Sequence, residues 1–109
     1  MRREPGGLGQ KSYTFIIQKY IERPLLIWGK RKFDIRVWVL VDHEMNAYFC
    51  REGYLRTASR AYRLTGLGDR FVHLTNNAVQ KNAKNYGEWE DGNILSFAEF
   101  QRFLDEQGS

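Results

Sequence analysis

The segment Lys32-Phe33-Asp34-Ile35-Arg36 runs without a break into Val37-Trp38-Val39-Leu40-Val41. Side chains alternate faces along a strand, so Lys32, Asp34 and Arg36 line one face while Phe33, Ile35 and Val37 line the other. The second half is rich in β-forming residues and reads as largely buried, which predicts one long strand over 32–42. Three alternating charges entering a buried strand are costly unless they pair with one another or meet a charged ligand. The plainest reading is a solvated edge strand with cross-strand ion pairs. The sharper one is an anion site on the Lys32–Asp34–Arg36 face, and the rest of the chain bears on the choice.

Asp42 to Asn46 forms a polar turn, and Ala47 to Glu52 is expected to return antiparallel as the second strand of a hairpin. Upstream, Tyr13 to Glu22 is expected to be a strand stopped by Arg23-Pro24, followed by a short apolar piece, Leu25 to Trp28. Residues 57–93 show weak periodicity and several Gly and Asn residues, which predicts a long irregular loop region with one helical turn around 78–82. Ser96 and Glu99 form a capping-box pattern ahead of the stripe Phe97, Phe100, Phe103 and Leu104, so the clearest helix closes the chain. Residues 1–12 are Gly-rich and charged and are expected to be a disordered lead-in. The expected class is α+β, an antiparallel sheet and hairpin core with a long irregular loop region and a C-terminal helix. At 109 residues the chain is at most one domain, and its hydrophobic faces call for partners, which suggests an excerpt of a larger one.

A formal net charge of +4 favours anionic partners: nucleotides, acidic peptides and nucleic acid all qualify. Cys50 is the only cysteine, so no internal disulfide forms and a reducing compartment is the default. The sequence has no apolar run of membrane-spanning length and no secretory h-region, so a soluble cytosolic protein with no membrane partner is expected. Two distant histidines and one cysteine make no zinc site, so no metal ligand is assigned within the chain. Nucleophile-elbow, Walker-type and GxGxxG patterns are absent.

Three constellations could carry chemistry. Gln18-Lys19-Tyr20-Ile21 sits at a strand end, where free backbone groups can pair with the polar edge of a flat heterocycle such as adenine, or simply finish an amphipathic strand. Arg51, Glu52 and Arg56 follow the second hairpin strand. Pairing about 43–46 would set Arg51 opposite 36–38 and gather Lys32, Arg36 and an arginine around one anionic pocket, with Asp34 moderating the charge. Fixed cations of this kind lower phosphoryl-transfer barriers, although exposed cations serving only solubility have the same composition. His73-Leu74-Thr75-Asn76-Asn77 offers side chains that bind phosphate or ribose oxygens, or that cap local turns.

The ordered series QKYIERPLLIWGKRKFDIRVWVLVDH, YFCREGYLRTAS and HLTNNAVQKNAKNYGEWEDGN resembles the tubulin–tyrosine ligase family, from about Ile16 to the final helix. The resemblance implies an ATP-grasp fold, of which this chain would be the central part over 13–109, and a ligase that activates a carboxylate as an acylphosphate before an amine attacks. It also implies ATP and Mg2+ as cofactors. By position, Gln18, Lys19, Tyr20 and Ile21 would bracket the adenine, Lys32 and Asp34 would contact sugar and phosphates, and Thr75 and Asn76 would complete the nucleotide pocket. Arg36 and Arg56 would be the catalytic pair holding the reacting carboxylate or amino-acid substrate, with His73 in the same substrate-binding shell.

The implied partners are the acidic C-terminal tail of tubulin and a free amino acid, with a cytoplasmic setting on microtubules or in cilia. Within the family, REGYLRTAS and KNYGEWEDGN point towards the tyrosine-adding member, so tyrosine addition to α-tubulin is the expectation. Glycine or glutamate addition by a relative of the same family is the alternative. The chain departs from the family at Arg60-Ala61-Tyr62, where relatives often carry a proline, so a different loop path is expected there. The family's magnesium ligands and phosphate-covering lysines would lie outside this chain, which alone is then expected to be inactive. A non-catalytic basic module that binds acidic tubulin tails, and generic nucleic-acid binding, are the competing classes. No recognised motif supports the latter.

Overall fold

The computed structural model describes residues 12–108. The expected lead-in lies outside them, apart from Ser12. Strands β1 (Arg31–Arg36), β4 (Tyr54–Ala61) and β5 (Ile94–Ser96) form an antiparallel sheet in the order β1-β4-β5, while β2 (Val39–Val41) and β3 (Ala47–Phe49) pair as a separate two-stranded hairpin. Two four-residue helices, α1 (Arg70–His73) and α2 (Asn77–Gln80), interrupt the connection to β5, and α3 (Phe97–Gln107) closes the chain. The mixed architecture, with antiparallel sheets and a C-terminal helix, is the one expected.

The single long strand over 32–42 is not observed: it divides after Arg36 into β1 and β2, which lie in different sheets. Gly53 supplies a physical reason. A Cβ there would stand 2.5 Å from the Arg36 carbonyl oxygen and would run into the Phe97 ring. Only a residue without a side chain lets the lead-in to β4 approach so closely, and the pairing of β1 with β4 begins at Arg36↔Tyr54. The hairpin itself forms as expected in the register Val39↔Phe49, with Asp42 accepting hydrogen bonds from the Glu44 and Asn46 backbone N–H groups at its turn. Val39, Leu40, Val41, Tyr48 and Phe49 are exposed, so both faces of this ribbon stand uncovered among the described residues.

A second correction concerns residues 13–22. They belong to no strand, and Phe15, Ile16, Ile17 and Ile21 are exposed. A β-forming sequence needs a neighbour for its N–H and C=O groups, and no neighbour is present among the described residues. The irregular region also begins later than expected, because β4 runs through Ala61 as a central strand covered on both faces. Its residues Leu55, Thr57, Ala58 and Ser59 are all buried, so the period-2 signal is absent.

The apolar core is small: Ile27, Leu55, Leu95 and Phe103, with Trp28, Phe33, Phe97 and Phe100 packed against it. The helix α3 supplies its stripe as expected, Phe100 meeting Phe33 at 5.2 Å and Phe103 meeting Trp28 edge-on at 5.4 Å between ring centroids. Ser96 caps α3, its Oγ accepting the Glu99 N–H at 3.1 Å.

Beside this core lies a buried polar lock. Arg31 is 1% exposed, and its guanidinium donates to both Glu90 carboxylate oxygens at 2.9 and 2.7 Å and to the Trp28 and Ala58 carbonyls. The Trp89 ring lies 4.6 Å over the same guanidinium. The Thr57 hydroxyl donates to Glu90, and Asn93 donates to the Thr57 carbonyl and the Ser59 hydroxyl. Removing one partner of a buried, fully hydrogen-bonded pair leaves the other charge without compensation. Glu90→Gln is therefore expected to cost about 3 kcal/mol or more of stability, read as a fall in the urea unfolding midpoint. Glu106→Gln, where the carboxylate accepts the Trp28 indole N–H at the surface, is expected to cost under about 1 kcal/mol.

Candidate functional site

The charged face of β1 is where the candidate site residues meet. Antiparallel register sets Arg56 of β4 directly opposite Asp34. Arg56 grips it at two points, Nε donating to Oδ1 at 3.0 Å and Nη2 to Oδ2 at 2.6 Å. Thr75 completes the group from the loop after α1, its Oγ1 donating to Asp34 Oδ1 at 2.9 Å. Burial would raise the Asp34 carboxyl, but the hydrogen bonds from Arg56 and Thr75 and the charges of Arg56 and Arg36 outweigh it and hold the carboxyl below its ordinary value. For Asp34 the plain expectation of a cross-strand ion pair is met. The Arg56 edge expected to hold a substrate carboxylate is occupied by Asp34, which leaves Nη1 for any further anion.

Two residues back along the same face, Lys32 is aimed by three groups. Its ammonium donates to the Tyr20 hydroxyl and to the His73 carbonyl, both at 3.0 Å, and lies 4.7 Å from the centre of the Tyr20 ring. The Tyr20 hydroxyl that accepts from Lys32 also shares a hydrogen bond with His73 Nδ1, 2.8 Å away. The other ring nitrogen, Nε2, is buried without a hydrogen-bond partner among the described residues. His73 sits edge-on to Tyr20 and Tyr62, with ring centroids at 5.7 and 5.5 Å. Burial, followed by the charges of Lys32 and Arg63, lowers its pKa, against a smaller opposing pull from Asp69. The third ammonium proton of Lys32 remains for an anion.

Beside Lys32 opens a cavity of about 360 Å³ lined by Gln18, Lys19, Tyr20, Ile21, Pro24, Lys32 and Phe33. The four consecutive residues 18–21 thus face one space together with Lys32, although they form no strand end. Gln18, Lys19 and Ile21 are exposed, and Lys19 pairs with Glu22 at 2.6 Å. Asn76 is exposed at the head of α2; its carbonyl accepts from Val79 and Gln80 while its side chain makes no cap. Arg36 is exposed at the far end of β1 and makes no ion pair among the described residues. Arg51 does not join the group. Beyond the Cys50–Trp38 bond it leaves the hairpin exposed, and Arg56 is the arginine that faces Asp34.

Tyr62 is a residue the sequence reading passed over except as a departure from the family. The β1–β4 pairing, with its bulge, carries β4 past the expected loop, and Tyr62 then meets His73 edge-on and donates its hydroxyl to the Glu22 carbonyl at 2.8 Å. It moors the 18–22 segment to the sheet. An aromatic residue directly after a strand was the only available signal.

A sequence model of the Tubulin-tyrosine ligase family matches residues 4–107. The chain belongs to this family. Among curated relatives it is 41% identical over 98 residues to tubulin glycylase 3B of Tetrahymena thermophila, covering 88% of this chain and 8% of that protein. It is 39% identical over 105 residues to tubulin monoglycylase TTLL3 of Homo sapiens, covering 91% and 13%. To the probable tubulin polyglutamylase TTLL9 of Bos taurus it is 45% identical over 75 residues, covering 67% and 16%. The chain therefore spans less than a fifth of each of these relatives. Their names are those of glycylases and a polyglutamylase, so the expectation of tyrosine addition has no support in them, whereas the glycine-or-glutamate alternative has.

The environment of His73 sets a pH response. Its folded pKa lies below the ordinary value of 6.5, so the folded state keeps the ring neutral where the unfolded chain takes up a proton. The stability this contributes is complete above about pH 6.5 and is lost as pH falls through that value towards the lower folded one. Unfolding midpoints measured from about pH 7.5 down to about 5.5 are expected to fall in the wild type and to fall less in His73→Gln. Asp34 acts in a separate window, below its ordinary value of 3.8.

Proposed function

We propose that this chain is part of an ATP-dependent ligase of the ATP-grasp fold that adds an amino acid to tubulin, with glycine as the favoured addition. Family membership supports the ligase class. The glycylase matches extend over 88% and 91% of the chain against 67% for the bovine polyglutamylase, which favours glycine over glutamate. The observation that carries the nucleotide reading is the Lys32 ammonium, held by Tyr20 and His73 at the mouth of the 18–21 cavity with one donor unspent.

The residues present fit a nucleotide. The cavity is about 360 Å³, and its lining combines apolar Ile21, Pro24 and Phe33 with the cation of Lys32. ATP, when bound, supplies the phosphoryl group that makes a carboxylate reactive towards an amine. Gln18 to Ile21 would hold the base, Lys32 would balance phosphate charge, and Thr75 and Asp34 would border the sugar. Arg36, and Arg56 through its free Nη1, would draw the carboxylate in and stabilise negative charge as it develops. His73 is spent on Tyr20 and Lys32, so it serves this site by shaping it.

The described residues do not fit Mg2+. No three His, Cys, Asp or Glu side chains converge among them, and Asp34 spends its oxygens on Arg56 and Thr75. No step is assigned to a metal here.

In the full-length protein, Lys32→Ala is expected to weaken ATP binding by about tenfold or more, measured by calorimetry. Arg36→Ala is expected to lower kcat with less effect on the ATP Kd. Undiminished ligation by a Lys32→Ala, Asp34→Ala double variant would sink the assignment. Mass spectrometry of tubulin tail peptides, after incubation with glycine, glutamate or tyrosine, then identifies the residue added. A second reading, a basic module that only binds acidic tails, predicts salt-sensitive tail binding that ATP leaves unchanged.

A further inference from the structure

Gln80 closes the short helix α2 and has no solvent exposure. Its amide makes three hydrogen bonds, all to backbone. Oε1 accepts the Ser59 N–H of β4 at 2.9 Å, while Nε2 donates to the Phe71 carbonyl at 3.2 Å and the Leu74 carbonyl at 2.6 Å. Both amide protons and the amide oxygen are thus engaged, in a place where an unmet polar group is expensive.

The positions it joins matter more than the number of bonds. Ser59 lies in β4 where the register with β1 slips, between the partners of Phe33 and Arg31. Phe71 belongs to α1 and Leu74 is its C-cap; a helix of four residues cannot satisfy its own last carbonyls. His73 and Thr75 flank Leu74, and these are the two residues of the loop that reach β1. The His73 carbonyl accepts from Lys32, and the Thr75 hydroxyl donates to Asp34.

Other buried amides do not make this link. Asn85 donates to the Ser59 carbonyl, and Asn93 to the Thr57 carbonyl and the Ser59 hydroxyl. Neither reaches the 71–75 segment. Arg60 of β4 also reaches this segment, its guanidinium 5.1 Å over the Phe71 ring and paired with Asp69, but Gln80 is the described side chain that hydrogen-bonds the backbone of both β4 and residues 71–75.

We propose that Gln80 is a positioning residue of the candidate site: its buried amide fixes the distance from β4 to residues 71–75, and so holds Thr75 on Asp34 and the His73 carbonyl on Lys32. The functional consequence rests on the nucleotide reading above; the placement of the loop does not. Leucine at 80 fills similar space but strands three backbone groups. Glutamate keeps the acceptor for Ser59 and sets oxygen against two carbonyl oxygens.

The test uses the full-length protein with Gln80→Leu and Gln80→Glu, each alone and combined with Thr75→Ala. Amide hydrogen exchange is followed over peptides covering 70–76, 94–96 and 97–107, alongside KM for ATP and kcat. Loss of protection confined to 70–76, with KM for ATP up about tenfold and kcat within about threefold, is the expected result. Adding Thr75→Ala to Gln80→Leu should raise KM by less than about twofold more, because the same contact is already lost. Unchanged protection at 70–76 overturns the proposal, as do losses that multiply in the double variant. A fall in kcat with unchanged KM and general deprotection marks a purely structural residue and overturns it too. If Gln80→Leu does not fold, Gln80→Glu carries the same comparison. A wild type that binds no ATP removes the nucleotide reading alone, and the exchange pattern then decides for or against Gln80.

Discussion

Arg31 is the residue on which the rest of this small structure depends. A guanidinium at 1% exposure would ordinarily be an expensive thing to bury, and four features make it tolerable: a two-point carboxylate, two carbonyls and an overlying indole. The consequence is topological. Glu90 lies fifty-nine residues further along the chain, so closing this pair fastens the end of the long connection onto the start of β1. An apolar core of four fully buried side chains could not by itself dictate where so irregular a segment runs. Directional bonds to a fixed charge can, because each has one satisfactory geometry.

The same logic extends along β4. Thr57 and Ser59 are buried, and their polar atoms are met by Glu90, Asn93, Asn85 and Gln80, all from the 77–93 connection. The connection is therefore a polar lid over the central strand, built from amide side chains where most small domains would use an aliphatic helix. Just ahead of it in the chain, Thr75 and the His73 carbonyl meet β1. The site inherits its rigidity from this network, since β1 alone would place Lys32 and Asp34 but leave them without the groups that orient them.

How much of this the sequence displays depends on the kind of signal. Alternation placed Lys32, Asp34 and Arg36 on one face, and the hairpin and α3 followed from turn chemistry and a capped apolar stripe. All three are local signals, carried within a few residues. The division of the long strand at Arg36 hinges on Gly53 approaching from seventeen residues away, and nothing in the β-rich run itself announces it. The reach of β4 to Ala61 was hidden because a central strand buried on both faces loses its period. The Asn- and Gln-rich stretch reads as a loop by composition, which it is, yet composition does not say that its amides are buried partners of a strand. The 13–22 segment failed in the opposite direction, its β-forming residues having no described neighbour to pair with. Site residues 18–21, 32, 34, 56, 73 and 75 do converge, but the pairing of Arg56 with Asp34 is a register effect, visible only once β1 and β4 are aligned.

That pairing bears on how the site would work. Three cations, Lys32, Arg36 and Arg56, share one sheet face with the Asp34 carboxylate, so the face keeps an excess of positive charge after Asp34 is counted. Asp34 neutralises Arg56 locally and, being held below its ordinary pKa, stays ionised over the whole neutral range. The excess is then concentrated at the two ends of β1, on Lys32 beside the 18–21 cavity and on the exposed Arg36. A ligand with anionic groups at both ends, as a nucleotide beside a carboxylate would present, meets a cation at each and a neutral ion pair between them. A uniformly charged tail would gain from the exposed Arg36 and less from Lys32, which is half-buried and oriented by Tyr20 and His73. The separation of the two cations by a satisfied ion pair therefore supports the ligase reading over simple tail binding, because a ligand anionic at two separated points engages both.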